Sequence, residues 1–541
     1  MNNYLTPFFR TIVFFWAFFG SECSFGQSEV LSLDRIFSRW NNATPGVAVA
    51  VKLGDSVVYR KGYGLADLEH NVPITPQSVL ESGSVAKQFT AMSILLLADE
   101  GKLSLTDDVR KYIPELPAYA TTITIQMLLN HTSGLKDWGS IGALSGWERT
   151  TRVYTQELAL QIIANQKATN FIPGSEYSYS NSNYSLLVTI VERVSGMSLS
   201  SFTSSRLFIP LQMNNTRWRN NFREVVENRA IGYRKNEGRY EQLMPFENVH
   251  GHGGLLTTVD DLLKWNALLE THSIGGDKVF QERIRRGSLN NGKQISYAAG
   301  LQVSDYYGFR EIAHSGATAG YRAWLAYYPQ NRLSIVLLSN DASFQPSNVG
   351  RQVANVFLGT GTEKKNVKKS VQPAADDLKK FEGYFRSVRH LDFHQLKIKG
   401  GSLFLDGEGV SFASPDTVLS GADKWVYQRP GRIQLIQSGD TLAFRKVDPP
   451  GMNSDIAGSY HSEEVGADYA FLIDKNELYL KIGHWPPRFL WSVFRDGFTD
   501  DNGVLYEFIR NKKGQLLRLE VSVSRAEKML FQKVKEQSAI R

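Results

Sequence analysis

The stretch ESGSVAKQFT, residues 81–90, decides how the rest of the chain is interpreted. It predicts a short loop, a serine on the first turn of a helix, and a lysine three residues after that serine. Positions i and i+3 of an α-helix lie on one face, so the Ser84 hydroxyl and the Lys87 amine come within hydrogen-bond reach. The apolar run that continues through Ala98 leaves almost no polar face, which is typical of a helix buried on all sides.

Ser84 and Lys87 at the start of a buried helix suit nucleophilic acyl transfer. The helix dipole and the exclusion of water favour a nucleophile there, and desolvation lowers the pKa of a buried lysine so that it can act as a base. An ordinary helix start with Ser84 near the N-cap fits the same residues. A second copy of the spacing, Ser133 to Lys136, has a glycine directly after the serine, which indicates a turn.

The composition describes an ordinary globular protein of more than one domain. Its 541 residues suggest two or three domains, and 42% hydrophobic with 21% charged residues leaves no long disordered or fibrous segment. The net charge of +7 is mild, and no block of lysine and arginine alternates with aromatic residues. Nucleic-acid binding is therefore not expected, and the expected partner is a small molecule or short peptide.

Residues 1–26 are expected to be a signal peptide. Arg10 precedes a short apolar run, 11–19, and the small residues Ser24 and Gly26 fit a cleavage site. The run is too short to span a bilayer, which takes about 20 residues. An uncleaved N-terminal anchor is the alternative. We expect an exported protein, periplasmic or extracellular, with no membrane span in the mature chain.

Cys23 is the only cysteine and lies within the expected signal peptide. Its removal would exclude disulfides, thiolate metal sites and cysteine nucleophiles. His250 and His252 have a spacing that suggests a metal pair, but the glycines around them and the lack of a nearby carboxylate cluster favour a turn. No metal and no cofactor are expected.

The segment 27–360 is predicted to be one α+β domain. Two early strands and four late ones suggest one antiparallel sheet flanked by helices, with an all-helical lobe inserted beside it. The predicted strands are 46–52, 56–63, 297–303, 310–314, 320–328 and 332–340. The predicted helices, besides the one after Ser84, are 31–42, 123–130, 156–165, 183–195, 199–208, 259–270 and 346–358, with 103–259 mostly helical.

The rest of the chain is predicted to be all β. A lysine-rich linker, 361–377, precedes two similar units of short alternating strands, 378–450 and 451–541. Such meanders favour a C-terminal barrel-like region, either a pair of small barrels or two halves of one larger barrel.

Two further motifs supply groups that Ser84 needs. In Tyr179-Ser-Asn181, the tyrosine can accept the serine proton and the asparagine can orient Lys87 and the substrate. The alternative is a Ser/Asn/Tyr-rich loop that caps the helix 183–195.

The other motif is His314-Ser-Gly316, at the end of a predicted strand. The glycine lets a ligand approach the backbone closely, and the N–H groups of Ala317 and Ser84 can form an oxyanion hole. The alternative is a plain β-turn with His314 as a core histidine.

The three motifs together resemble the serine β-lactamase and penicillin-binding-protein superfamily, in its class C-like branch, which includes D-aminopeptidases and family VIII esterases. The resemblance covers about residues 35–358. Supporting stretches are QFTA at 88–91, LLNHTSGL at 128–135, GGLLTT at 253–258 and DDLLKW at 260–265.

This resemblance implies roles for the motif residues. Ser84 would be the acyl nucleophile, Lys87 the base or proton relay, and Tyr179 the second proton-transfer group. Asn181, His314 and Gly316 would bind substrate. His314 stands where many penicillin-interacting members carry lysine, and a neutral imidazole holds a substrate carboxylate weakly. That departure favours D-aminopeptidases and related esterases over β-lactamases and D,D-carboxypeptidases.

The expected function is an exported serine hydrolase of the bacterial cell envelope that forms an acyl-enzyme. Its substrates would be small amides or peptides, D-amino-acid-containing ones included, or esters. One alternative is a family VIII-like carboxylesterase. Another is a sensor module that binds an acyl group, as a penicillin-binding protein does, without releasing it. A purely structural envelope protein is disfavoured, because packing alone does not select Lys87, Tyr179 and Asn181 together.

Overall fold

The structure is a computed structural model that describes residues 27–147, 151–360, 373–388, 391–420, 423–437 and 440–534. The expected signal peptide, 1–26, and most of the expected linker lie outside the described residues. Among the described helices, none has both the length and the apolar character needed to cross a membrane.

One sheet of six antiparallel strands forms the middle of the first domain, as predicted. Val47–Leu53 pairs on one side with Ser56–Tyr63 and on the other with Leu333–Ser339, so segments far apart in sequence meet in the sheet. The order across the sheet is Gln302–Tyr306, Phe309–Thr318, Tyr321–Tyr328, Leu333–Ser339, Val47–Leu53 and Ser56–Tyr63.

Helices cover both faces of this sheet, which explains the apolar character of its central strands. Val49 packs with the helices Gln27–Phe37 and Pro346–Leu358 on one face. Its neighbour Ala48 belongs instead to the core shared with the helical lobe. Alternate residues of one strand thus join the sheet to two different layers.

The part between the early and late strands is less helical than predicted, because Gly-, Asn- and Pro-rich loops end most helices after a few turns. The helices are Lys87–Asp99, Ile125–Leu129, Trp138–Leu144, Gln156–Ala164, Asn181–Ser195, Leu199–Thr203 with a π-helical turn Ser204–Phe208, Val259–Thr271 and Gly276–Ile284. Short strands also occur, at Leu65–Asp67, Val72–Pro73, Leu80–Glu81, Arg217–Trp218, Tyr233–Asn236, Arg239–Gln242 and Leu255–Thr257.

Three predicted elements have boundaries that are wrong by four residues or more. The strand predicted at 310–314 is Phe309–Thr318, so the motif His314-Ser-Gly316 lies inside the strand rather than at its end. The first helix is Gln27–Phe37 rather than 31–42. The strand predicted at 297–303 begins only at Gln302. Before it the chain bends at Gly300, which has a φ of +71° and approaches the Gln88 backbone so closely that a Cβ there would lie 2.9 Å from it.

The C-terminal region consists of two separate β-units, so the alternative of one larger barrel is wrong. The first, a nine-stranded rolled sheet, follows a short helix, Ala375–Lys379. Val410 alone separates its two edge strands in sequence, so one edge of the sheet continues directly into the other. Its strands are Gly383–Ser387, Phe393–Lys399, Ser402–Leu405, Glu408–Gly409, Ser411–Ser414, Thr417–Ser420, Asp423–Arg429, Arg432–Gln437 and Asp440–Val447.

The second unit is a closed barrel with its own apolar core. Ile141 and Leu144, from the lobe helix Trp138–Leu144, belong to that core. The Tyr469 hydroxyl donates to the Leu144 carbonyl at 2.7 Å. The barrel is therefore packed against the lobe. Its strands are Gly458–Ser462, Ala467–Asp474, Glu477–Ile482, Arg488–Phe494, Gly497–Thr499, Leu505–Arg510, Leu516–Val523 and Ala526–Lys533.

Candidate active site

Ser84 lies on a 3-10 turn, Gly83–Ala86, and the buried helix begins only at Lys87. The prediction of a serine on the first turn of the α-helix is thus wrong by one turn. Gly83 has a φ of +52°, and a Cβ there would lie 2.6 Å from the Ala317 nitrogen. The absence of a side chain at Gly83 lets the serine turn pack against the strand Phe309–Thr318.

Lys87 is fully buried and contacts Ser84, as the spacing predicts. Its Nζ donates to Ser84 Oγ at 3.1 Å, to Asn181 Oδ1 at 2.9 Å and to the His252 carbonyl at 2.6 Å. Three acceptors match the three donors of an ammonium group. The His250–His252 segment, expected to be a turn, is a bend whose backbone holds Lys87.

Asn181 begins the helix Asn181–Ser195, and two polar groups fix this start. The Asn181 N–H donates to Asp137 Oδ2 at 2.7 Å. The N–H of Ser180 and Nδ2 of Asn183 donate to Nδ1 of His131, at 3.3 and 2.9 Å. His131 therefore satisfies loop backbone, and burial together with the charge of Lys87 holds its pKa well below the usual value.

Tyr179 has two cations close to its ring. Lys87 Nζ is 4.9 Å from the centroid of its ring, and the Arg525 guanidinium is 5.0 Å from it. The buried hydroxyl makes no hydrogen bond of normal geometry to a described residue. Burial raises the pKa of Tyr179 well above its ordinary value, and interaction with Ser84 offsets only part of that rise.

His314 is a buried, neutral imidazole. Its Nδ1 donates to the Ser315 carbonyl at 2.6 Å, and its Nε2 accepts from the Tyr297 hydroxyl at 2.9 Å. The carbonyl can only accept, which fixes the hydrogen on Nδ1. Burial and the nearby charge of Lys87 lower the pKa of His314 to about 4.

Gly316 does not serve the purpose expected of it. A Cβ at this position would lie 2.0 Å from the Ser82 carbonyl oxygen, so the glycine accommodates protein backbone rather than a ligand. Ala317, the next residue, lines the cavity together with Ser84. Their neighbouring N–H groups are the candidates for the oxyanion hole.

The structure brings the candidate residues to one cavity of about 410 Å³. Lys87 lies behind Ser84, and Gly316 packs against the serine turn. The predicted residues in the cavity wall are Ser84, Tyr179, Asn181, His314 and Ala317.

Three residues of the site were not predicted from the sequence: Asp137, Tyr297 and Arg525. Asp137 carries a detectable signal, because an aspartate before the helix Trp138–Leu144 is a typical N-cap. Tyr297 was placed in a strand. Arg525 comes from the closed barrel, and no local pattern links it to Ser84.

A six-stranded antiparallel sheet beside a helical lobe, with a Ser-x-x-Lys turn at their junction, defines a protein of the β-lactamase and penicillin-binding-protein class. The chain belongs to the Beta-lactamase family, whose model matches residues 33–356. The resemblance stated from the motifs is confirmed.

Known relatives extend the similarity beyond this domain. Penicillin-binding protein 4* of Bacillus subtilis is 30% identical over 310 residues, covering 54% of this chain and 68% of that protein. A D-aminopeptidase of Brucella anthropi is 25% identical over 525 residues, covering 91% of this chain and 96% of that protein. The octameric penicillin-binding protein homologue from Pyrococcus abyssi has a similar fold, with a TM-score of 0.55 at 23% identity over 84% of this chain and 98% of that one.

Proposed function

We propose that this protein is an exported serine hydrolase that forms an acyl-enzyme through Ser84. The observation that carries the proposal is the 3.1 Å contact between Lys87 Nζ and Ser84 Oγ beside an open cavity. A nucleophile and a base within hydrogen-bond reach, with the base oriented by a third group, are what covalent catalysis requires. Membership of the Beta-lactamase family supports a hydrolase independently.

Lys87 takes the Ser84 proton in its neutral amine form. That form keeps two N–H donors for Asn181 Oδ1 and the His252 carbonyl, and it turns its lone pair to the Ser84 hydroxyl. Ser84 Oγ then bonds to the substrate carbonyl carbon. The carbonyl oxygen, now negative, accepts hydrogen bonds from the N–H groups of Ser84 and Ala317.

Tyr179 donates a proton rather than acting as a resting base. Its raised pKa keeps the phenol protonated at neutral pH. The phenol protonates the leaving amine or alkoxide and recovers its proton from Lys87. Water then attacks the acyl carbon, and the same groups release the acid and restore Ser84.

The proposed substrates are small amides and peptides, D-amino-acid-containing ones included, or esters. The D-aminopeptidase relative, which covers 91% of this chain, supports the amide class. Ester hydrolysis by a carboxylesterase is the alternative outcome of the same chemistry, because an alkoxide leaves more readily than an amine.

Replacement of the nucleophile tests this function. Ser84→Ala should abolish turnover of p-nitrophenyl acetate and of any D-amino-acid amide that the wild type cleaves. Ser205→Ala, an exposed serine of the lobe, is the matched control and should retain turnover. Undiminished turnover by Ser84→Ala would contradict the proposal. A stable acyl adduct on Ser84 without release, seen by mass spectrometry, would instead indicate an acyl-binding sensor.

A further inference from the structure

A turn of the closed barrel reaches the active-site cavity and places Arg525 in its wall. The Arg525 carbonyl accepts hydrogen bonds from the Asp137 N–H at 2.9 Å and from Asn170 Nδ2 at 3.2 Å. Asn170 Oδ1 also accepts from the Glu527 N–H at 3.0 Å. The backbone therefore fixes the turn, and the side chain of Arg525 does not take part in this attachment.

The guanidinium of Arg525 is available to a ligand. Its central carbon lies 5.0 Å from the centroid of the Tyr179 ring, a cation–π contact that uses none of its N–H groups as hydrogen-bond donors to a described acceptor. It makes no hydrogen bond or ion pair with a residue in the described part of the chain, and the residue is partly exposed. A free guanidinium edge matches the two oxygens of a carboxylate.

The charge of the cavity favours an anion. Of the described residues that line it, Arg525 is the one with a permanent charge, and none is acidic. Lys87 lies directly behind this wall, 4.9 Å from the Tyr179 centroid. His314 has both ring nitrogens committed to protein groups, so it offers no cation in its place. Positive charge in a recessed, partly desolvated cavity attracts negative ligands.

We propose that Arg525 recognises a carboxylate of the substrate, so that the site selects acyl compounds with a free carboxylate near the scissile bond. This inference rests on the proposed function of Ser84 and narrows its substrate class. It makes Arg525 a specificity residue contributed by the barrel, which gives the second β-unit a direct part in substrate recognition at this site.

Two esters of equal length with the same leaving group test the inference. Mono-p-nitrophenyl glutarate ends in a carboxylate, whereas p-nitrophenyl valerate is neutral. The readout is the ratio of their kcat/KM values for the full-length wild type, Arg525→Gln and Arg525→Lys. Because one charge-assisted contact stabilises by more than an ordinary hydrogen bond, the glutarate preference should fall at least about tenfold in Arg525→Gln. Arg525→Lys should retain part of it.

Lys513→Gln removes the same charge from an exposed turn of the barrel and is the matched control, with an unchanged ratio expected. An unchanged ratio in Arg525→Gln, with a wild-type melting temperature, overturns the inference and leaves Ser84 hydrolysis intact. Absence of Ser84-dependent turnover in the wild type would contradict the proposed function instead.

Binding measured without turnover tests the role of Arg525 separately from the proposed hydrolysis by Ser84. Calorimetry compares glutarate with neutral glutaramide on Ser84→Ala and on the double variant Ser84→Ala/Arg525→Gln. Glutarate affinity should fall at least about tenfold in the double variant, whereas glutaramide affinity should not fall with it. Equal loss for both ligands, or no loss for glutarate, overturns the carboxylate role.

Discussion

Lys87 and His314 are two nitrogen bases at one cavity, and their surroundings give them different abilities to accept a proton. Lys87 faces the hydroxyl of Ser84, so a proton can move between them. His314 faces the Tyr297 hydroxyl and a carbonyl, and the positive charge of Lys87 opposes its protonation. The lowered pKa of His314 keeps its imidazole neutral, so the proton transfers in the proposed mechanism involve Ser84, Lys87 and Tyr179 instead.

The depressed pKa of His314 predicts a pH-dependent stability. The folded protein releases the proton above about pH 4, whereas the unfolded chain binds it up to pH 6.5. The unfolded state therefore binds more protons in this window, and the free energy of unfolding rises with pH. His314→Gln should reduce this rise by up to about 3 kcal/mol, measured by denaturant unfolding from pH 4 to 7.

The pKa of His131 is also lowered, so this residue should still produce part of the rise in the free energy of unfolding in His314→Gln. His461→Gln removes an exposed histidine of the barrel and is the control. Equal pH profiles for the wild type and His314→Gln would show that His314 is not the neutral, buried group described above.

The residues of the short motifs around Ser84 could be predicted from the sequence, but the residues that hold these motifs in position could not. Ser84, Lys87, Tyr179 and Asn181 stand in short motifs, because their chemistry requires particular residue types at fixed spacing. Asp137 has a local signal as the N-cap of Trp138–Leu144, but its contact with Asn181 forms only where distant loops meet in the fold.

The serine turn and the strand Phe309–Thr318 meet through two glycines. Gly83 faces the Ala317 nitrogen, and Gly316 faces the Ser82 carbonyl. Backbone touches backbone across this contact, so the distance between the two oxyanion-hole candidates is set without any intervening side chain.

Gly316→Ala should separate these elements. A Cβ placed 2.0 Å from the Ser82 oxygen forces the turn or the strand to move. We expect a loss of about 1–3 kcal/mol in the free energy of unfolding, typical of overpacking, and a larger proportional loss of ester turnover. Thermal melting and p-nitrophenyl acetate hydrolysis measure the two effects.

Gly409→Ala is the matched control, because a Cβ there would meet only the Phe404 ring at 3.8 Å. Its stability and turnover should match those of the wild type. Wild-type turnover in Gly316→Ala would contradict the close packing of turn and strand.

Elements with strong local signals were predicted best. Ser56–Tyr63 and Pro346–Leu358 were confirmed to the residue, the first after a Gly-Asp turn and the second with proline at its start. The strand predicted at 297–303 failed, because the chain there follows the surface of the central helix instead of a neighbouring strand. Tertiary contact overrode the local β pattern.

The whole molecule joins its catalytic domain to the closed barrel by both apolar and polar contacts. Ile141 and Leu144 complete the barrel core, and Asn170 holds the turn that carries Arg525. Because side chains of the lobe form part of the barrel core, the barrel is packed against the lobe and is not connected to it by the linker alone. We therefore expect the barrel and the domain that holds the cavity to unfold together.

The raised pKa of Glu527 predicts a second pH dependence of the free energy of unfolding. Burial, above all, and the charge of Glu176 raise its pKa to about 7, against the opposing charges of Lys528, Arg386 and Lys136. The unfolded chain releases the proton near pH 4.5, so it binds fewer protons between these values, and the free energy of unfolding falls as pH rises. This fall is opposite to the rise in the free energy of unfolding that the lowered pKa of His314 predicts.

Glu527→Gln should reduce the fall in the free energy of unfolding between pH 4.5 and 7.5 by about 1–2 kcal/mol, measured by thermal or denaturant unfolding. The figure allows for the partial exposure of the side chain. Glu408→Gln, an exposed glutamate of the rolled sheet, is the control. A wild-type slope in Glu527→Gln would locate the pH dependence elsewhere.

The reach of Arg525 into the cavity also sets an order of events during synthesis. Asn170 and Arg525 are 355 positions apart, and N-terminal parts of a chain fold first as they leave the ribosome. The strand Phe309–Thr318 must emerge before the serine turn is held, and the barrel turn must emerge later still. In a nascent chain, Ser84 and Lys87 are thus positioned before Arg525 joins the wall of the cavity.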